Sequence, residues 1–329
     1  MLAALLVLPL TLGLPLDIFS NDDKQGLQTL EVSKPLGDVS GLAVDRKGRV
    51  VAFHRAGRHW DELTFDEETN KFNKSLGVLR APTIAVIEPN GKVVKELGEN
   101  VFYLPHGMTI DREGHFWVTD VGSHQVHKLD GESGKVLLSL GEKLVPGGDE
   151  KHFCKPTDVA VASNGVFFVA DGYCNRRVLK FSPSGELLDV IQAAIEEGEP
   201  DSFDVPHSLT LVEDMNMLCV ADRDNERVQC FSAGLAEGTR RVPPGIPITS
   251  AKDIGRVFAI REKNHYLFGV TADGEVDAES KVFVMDMESG ETTTIAKSVP
   301  NAHAVAVSDD GTVYVSQLQP SRIVRYSLA

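Results

Sequence analysis

One short pattern recurs three times in this 329-residue chain, each time with a histidine at the same place: Pro105-His106-Gly107-Met108-Thr109-Ile110, Pro206-His207-Ser208-Leu209-Thr210-Leu211 and Ala302-His303-Ala304-Val305-Ala306-Val307. The histidines are 101 and 96 residues apart (207 − 106 and 303 − 207). That is about two units of a repeat of roughly fifty residues, within the range of radial β arrays. If the repeats close into a ring, alternate members aim the three imidazoles at one axial point. Three neutral imidazoles with an open fourth position make a catalytic zinc site, so the spacing points to a metal enzyme.

From Gly37 onward the chain consists of short apolar runs punctuated by Asp/Asn-Gly turns, the pattern of antiparallel strands joined by tight hairpins. Gly41-Leu42-Ala43-Val44-Asp45 with Gly48-Arg49-Val50-Val51 matches Gly107-Met108-Thr109-Ile110-Asp111 with Gly114-His115-Phe116-Trp117-Val118. Further copies begin at Asp158, Ser208 and Ala304, and a degenerate one spans Val257-Phe258-Ala259-Ile260 and Tyr266-Leu267-Phe268-Gly269-Val270. Several are followed by a third strand of the type Arg177-Val178-Leu179-Lys180-Phe181. Six copies predict an all-β, six-bladed β-propeller with four-stranded antiparallel blades, a single domain over residues 37–329 behind a lead-in at 21–36. Only a short turn at Val190-Ile191-Gln192-Ala193-Ala194-Ile195 suggests helix. A sandwich is the alternative fold, but it would not give a regular period near fifty.

Composition narrows the function. The 33 basic and 48 acidic side chains sum to −15, with no basic stripe to neutralise phosphates, so nucleic acid is excluded as a partner. Residues 1–16, from Met1 to Leu16, are almost wholly apolar but too short and proline-rich for a membrane span. They suit a signal-peptide core, so residues 1–20 are expected to be a secretory leader; the alternative is an apolar start that packs on the domain. No later stretch reaches the ~20 apolar residues of a membrane helix. Four cysteines occur without a C-x-x-C pair. The hairpin around Asp222-Arg223-Asp224-Asn225-Glu226 places Cys219 opposite Cys230, leaving Cys154 to pair with Cys174. Two disulfides and the sequon Asn73-Lys74-Ser75, a glycosylation candidate at Asn73, agree with a secretory or extracellular location.

Residues just ahead of each innermost strand should line the channel mouth. Blades two, four and six supply His106, His207 and His303, while blade three has Thr157. The other seven histidines (His54, His59, His115, His124, His127, His152 and His265) carry no assigned chemistry. Near the trio, the same loop carries Arg55 in blade one, Tyr173 in blade three and Arg223 in blade four. A tyrosine with a free pKa of ~10 is a poor base, but zinc and guanidinium charge would favour its phenolate. Each residue alone also has an ordinary explanation, solvation of a loop for the arginines and packing on a disulfide for the tyrosine.

The segments Phe102-Tyr103-Leu104-Pro105-His106-Gly107, His152-Phe153-Cys154-Lys155-Pro156-Thr157-Asp158-Val159-Ala160-Val161, Asp171-Gly172-Tyr173-Cys174-Asn175 and Cys219-Val220-Ala221-Asp222-Arg223 closely resemble the peptidyl-α-hydroxyglycine α-amidating lyases. The likeness runs from about Gly37 to the C-terminus. It implies an NHL-repeat-like propeller that splits a peptide ending in α-hydroxyglycine into peptide amide and glyoxylate. It further implies His106, His207 and His303 as zinc ligands, Tyr173 as general base, and Arg55 and Arg223 as cations near the substrate carboxylate and the tyrosine. The two disulfides are paired as above. A separate copper-dependent hydroxylating monooxygenase would supply the substrate, and a monomer is expected.

The resemblance also implies a structural calcium, held by the backbone carbonyls of Leu42 and Met108 and by an aspartate directly after the third histidine. This chain has Ala304 there, and Asn301 in place of the family's methionine. Calcium binds through several oxygens with carboxylate charge, so the calcium site is expected to be weakened. Two other readings compete: a calcium-dependent, lactonase-like propeller hydrolase, which would place Glu, Asp and Asn at the channel mouth, and a non-catalytic propeller that binds protein partners.

Overall fold

The computed structural model describes residues 26–194, 200–235, 242–272 and 279–327; the expected leader lies outside them. These residues form six four-stranded antiparallel sheets. The innermost strands are Val39–Val44, Pro105–Ile110, Asp158–Val161, Pro206–Val212, Val257–Lys263 and Ala302–Val307. Each packs against the next around a circle, and the first against the last. The propeller is therefore closed, and the spatial neighbours follow chain order. Among the described residues no helix is long and apolar enough to cross a membrane.

The burial pattern shows why these residues become blades. Second strands such as Val50–His54, Phe116–Asp120 and Phe167–Asp171 are buried at every position, because each lies between two neighbouring blades and has no wet face. The outermost strands Val93–Leu97 and Val136–Leu140 alternate between half-buried and exposed, as expected where only one face is covered. Large rings bridge the blade interfaces; Trp117 of blade two meets Phe167 of blade three at 4.5 Å between centroids.

The hairpins follow the turn chemistry. In blade one the Asp45 carboxylate accepts the backbone N–H groups of Lys47 and Arg49, and Gly48 takes φ +74°, a conformation glycine adopts without strain. Asp111 and Gly114 repeat the arrangement in blade two. Blade five replaces it with a two-residue turn, Asn264-His265, at φ 52° and 64°, the backbone of a primed hairpin turn. That shorter turn is why its copy of the repeat looks degenerate.

Two local expectations change. Val190 and Ile191 do not begin a helical turn but end the outermost strand of blade three, Leu187–Ile191; of the remainder, Ile195 lies outside the described residues. The lead-in also contributes to the propeller: Gln28–Thr29 pairs with Arg322–Tyr326 as the outermost strand of blade six. Leu30 extends this closure, donating its N–H to the Ile323 carbonyl at 2.8 Å and burying its side chain beside Tyr314 and Ile323. A two-residue strand carries no repeat signature, so the sequence pattern gave no sign of it.

Both disulfides form as expected. Cys219 and Cys230 are direct cross-strand partners with Cα atoms 4.0 Å apart, and Cys154–Cys174 joins two loops of blade three across 5.5 Å. Asn73 caps a short 3-10 helix, Lys74–Leu76, by accepting the Ser75 N–H, while its Nδ2 donates to the Leu63 carbonyl.

Because the ring is sealed by so short a strand, Leu30→Ala is expected to lower unfolding stability by about 2–4 kcal/mol. Urea titration checks this; an unchanged midpoint would mean that the N-terminal strand contributes nothing to closure.

Candidate metal centre and active site

His106, His207 and His303 are each the second residue of an innermost strand, placed on alternate blades. Their ring centroids form a nearly equilateral triangle with sides of 4.8, 4.9 and 5.0 Å. All three are almost wholly buried, and one potential ligand atom from each lies within 4.8 Å of the others.

The intervening blades set their orientation. His106 Nδ1 donates to the Thr157 carbonyl of blade three at 2.7 Å, His207 Nδ1 to the Phe258 carbonyl of blade five at 2.5 Å, and His303 Nδ1 to the Ser40 carbonyl of blade one at 2.7 Å. A carbonyl only accepts, so each Nδ1 carries the proton and each Nε2 keeps a lone pair. This is the arrangement by which outer partners fix metal-binding imidazoles. Thr157, which holds the histidine's place in blade three, thus orients a histidine of the neighbouring blade. The close approach requires Gly107, where an added Cβ would lie 2.2 Å from the Thr157 oxygen.

Burial, together with the neighbouring rings and guanidinium groups, holds the trio neutral. The pKa of His303 is lowered to about 3, first by burial and then by Arg55; those of His106 and His207 also lie well below the ordinary value, with burial as the largest cause. The Tyr173 hydroxyl lies 2.9 Å from His106 Nε2 and 3.0 Å from His207 Nε2. One hydroxyl proton cannot satisfy both lone pairs. Three buried imidazoles with lone pairs directed inward form the donor set of a Zn2+ ion, and the residues fit it.

Arg55 and Arg223 stand beside this centre, from the loop that the repeats predicted. Arg55 is buried, donates from Nε to the Pro105 carbonyl at 3.1 Å, and stacks near Trp60. Arg223 is held by a two-pronged pair with Asp224 at 2.9 and 3.0 Å, and its guanidinium lies over the rings of Tyr173 and Phe258. Asp224 is shared with Arg256, so one carboxylate faces two guanidinium groups and Arg223 is only partly neutralised. Arg55 has no such paired carboxylate contact and borders a cavity of about 260 Å³ with Tyr173, His303, Asp38, Trp60 and Phe258.

One electrostatic expectation is revised. Burial raises the Tyr173 pKa, and the opposing pull of Arg223 and Arg55 does not cancel it. Guanidinium charge alone therefore leaves this phenol protonated near neutral pH.

The loops at the site are anchored by the aspartates that end the second strands. Asp120 accepts the N–H groups of Tyr103 and Leu104 at 2.7 Å, just ahead of His106. Asp171 accepts from Cys154, Asn175 and Arg177 around Tyr173, and Asp222 from Asp204, Asn225 and Arg227 beside Arg223. The Cys154–Cys174 bridge adds a covalent tie one residue from Tyr173.

Trp60, Asp38 and Phe258 were not foreseen. Trp60 lies in the long connection at residues 55–83, outside the repeat, and packs edge-on against Tyr173 with centroids 4.9 Å apart. That connection is pinned by Lys155, which bonds Asn70 and lies over Phe65. Leu42 and Met108, the carbonyl donors implied for calcium, are fully buried; the Met108 carbonyl accepts a bond from Arg261 Nη2 at 3.1 Å.

Comparison with known proteins identifies relatives of this chain. The NHL repeat family matches residues 102–129 and 153–181. A Caenorhabditis elegans protein named as a "probable peptidyl-alpha-hydroxyglycine alpha-amidating lyase" is 60% identical over 307 residues, covering 93% of this chain and 87% of the relative. The chain belongs to the peptidyl-α-hydroxyglycine α-amidating lyase family. As a member of that family it is a lyase. A Xenopus laevis peptidyl-glycine α-amidating monooxygenase is 40% identical over 311 residues, or 90% of this lyase but only 34% of the longer protein. A solved gluconolactonase from Xanthomonas campestris shares the fold at TM-score 0.60 with 14% identity, over 92% of this chain and 89% of that one.

Two buried histidines away from the trio, His54 and His124, have pKa values lowered to about 4, with burial the largest cause. Between pH 4 and the unfolded value near 6.5, the unfolded chain binds more protons at these sites than the folded one. Stability should therefore fall as pH drops through that window, by up to about 1.4 kcal/mol per pH unit for each histidine. Urea midpoints measured from pH 7.5 to 4.5 test the sign; a flat profile would contradict it.

Proposed function

We propose that this protein is a zinc-dependent lyase that cleaves peptidyl-α-hydroxyglycine to a peptide amide and glyoxylate. The observation that carries the proposal is the meeting of three neutral imidazoles, one phenol and two guanidinium groups, of which His303, Tyr173 and Arg55 line one cavity. His106, His207 and His303 would hold the metal. Once bound there, zinc supplies Lewis acidity toward the substrate hydroxyl.

The protein's own groups account for the rest. Arg55 is the buried cation facing the cavity without a paired carboxylate, and it suits the terminal carboxylate of the substrate through charge-assisted bonds. As a phenolate, the form that a cation held by the trio would favour, Tyr173 takes the hydroxyl proton. As the C–N bond breaks, its electron pair goes to the amide nitrogen and the hydroxyl carbon becomes the aldehyde of glyoxylate. Delivery of the proton from Tyr173 to that nitrogen balances the reaction. Arg223, anchored by Asp224, lies over the Tyr173 ring and opposes the effect of burial on its ionisation. Trp60 and Phe258 flank the cavity and limit access of water to the reacting centre.

Supply of the substrate requires hydroxylation at the α-carbon of a terminal glycine, a redox reaction we assign to a copper-dependent monooxygenase. The Xenopus relative bears the name of an amidating monooxygenase over a much longer chain. The paired cysteines agree with a secretory compartment, and the apolar start of the chain suits a leader. The lactonase reading has only a shared fold in its favour.

His207→Ala is expected to reduce zinc from about one ion per chain to near zero and to abolish glyoxylate release from a peptidyl-α-hydroxyglycine above the spontaneous background. Tyr173→Phe should retain zinc while losing about 10²–10⁴-fold in turnover. Metal content by mass spectrometry and a glyoxylate assay decide both; full turnover in the phenylalanine variant would remove the phenol from the mechanism. Arg55→Gln should act chiefly on KM, raising it about tenfold or more through loss of the carboxylate partner.

A further inference from the structure

Below the histidine trio, the channel is plugged by a side chain. Arg261 extends from the innermost strand of blade five into an unusually oxygen-rich environment. Its Nη1 lies 2.7 Å from the Ile260 carbonyl, 3.0 Å from Asp158 Oδ2, 3.0 Å from Ser208 Oγ and 3.1 Å from the Leu209 carbonyl. Its Nη2 lies 3.1 Å from the Met108 carbonyl and 3.4 Å from Asp158 Oδ1. These oxygens come from blades two, three, four and five.

Nη1 carries two protons for four oxygens, so directional hydrogen bonding cannot account for the cluster. Oxygen dipoles and one carboxylate gathered around a positive centre describe a cation site. The Asp158 carboxylate is buried, and its Oδ2 also accepts from the Ser208 hydroxyl and the Leu209 N–H. The space left between Arg261 and the trio is a cavity of only about 10 Å³, close to the volume of a single water probe. A calcium ion with six to eight oxygen ligands does not fit beside the guanidinium. Ala304, which borders the same cavity, offers no carboxylate.

We propose that the Arg261 guanidinium is the resident cation of this channel: it ties four blades together, takes the place of a divalent ion and makes the fold independent of calcium. A corollary follows from the donor set. Removing the guanidinium would leave the Asp158 carboxylate and the carbonyls of Met108, Leu209 and Ile260 around an open space. Those are calcium ligands, so the variant should acquire a calcium requirement that the native chain lacks.

The test uses zinc-loaded full-length protein dialysed into calcium-free buffer, with thermal midpoints recorded before and after addition of millimolar CaCl2. The native chain is expected to contain no stoichiometric calcium by mass spectrometry and to shift by less than about 1 °C. Arg261→Ala should unfold about 5 °C or more below the native chain and recover at least about half of that loss with calcium. Should Arg261→Ala fail to fold, Arg261→Gln, which keeps the length but not the charge, is read in the same way. About one calcium per native chain, a native midpoint that rises with calcium, or a variant indifferent to calcium would each overturn the proposal. None of these readouts depends on turnover.

Discussion

The hydrogen bonds from Nδ1 of the three histidines to carbonyls of the adjoining blades are the constraint on which the rest of the site depends. A histidine on one blade and a carbonyl on the next can meet only if the blades are packed in the correct rotation about the axis. Each such bond therefore reports the geometry of a blade interface as well as the tautomer of a ring. The six blades divide the work evenly, with blades two, four and six giving imidazoles and blades three, five and one giving Thr157, Phe258 and Ser40 as acceptors. Closure of the ring by Gln28–Thr29 and Leu30 is thereby linked to the histidine trio, because His303 belongs to the blade that this segment completes. An open propeller could keep its hydrophobic blade interfaces and still lose the convergence.

Much of this was legible in the chain because a propeller writes its architecture as a repeat. His106, His207 and His303 could be recognised together since they occupy one register position, and Arg55, Tyr173 and Arg223 because they share the loop after the second strand. Signals fade where a residue acts from outside the repeat. Trp60 reaches Tyr173 from a long connection with no counterpart in other blades. Phe258 sits in the repeat but contributes its carbonyl and ring, neither of which a sequence pattern marks. Gln28–Thr29 was too short to read as a strand. Arg261 was missed for a different reason: a lone arginine in a strand has many explanations, and only the positions of Met108, Asp158 and Leu209 in three dimensions reveal what surrounds it.

Tyr173 illustrates how a site can oppose its own chemistry. The burial that keeps the histidines neutral and ready to bind a metal also disfavours a phenolate, and two neighbouring guanidinium groups do not overcome it. Desolvation acts on every charged form, so a centre that excludes water needs a strong local charge to stabilise an anion within it. A divalent ion at the trio would provide such a charge a few ångströms from the hydroxyl. The phenol and the metal are on this view interdependent: without an ion the hydroxyl falls back on the histidine lone pairs as hydrogen-bond acceptors.

The channel thus contains positive charge handled in two ways. At the mouth, Arg55 makes no ion pair among the described residues, and Asp38 acts on it only through space, which keeps its charge available to an anionic ligand. Deeper down, Arg261 is surrounded by oxygen and paired with Asp158, so its charge is used up in cohesion among four blades. Arg223 lies between these limits, partly offset by an Asp224 carboxylate that it shares with Arg256, while still over the Tyr173 ring. What separates the three arginines is the set of oxygens each already faces: one carbonyl for Arg55, one shared carboxylate for Arg223, and a carboxylate, a hydroxyl and three carbonyls for Arg261. A propeller axis accordingly offers a gradient from structural to reactive charge, and it places the triad of histidines at the transition between them.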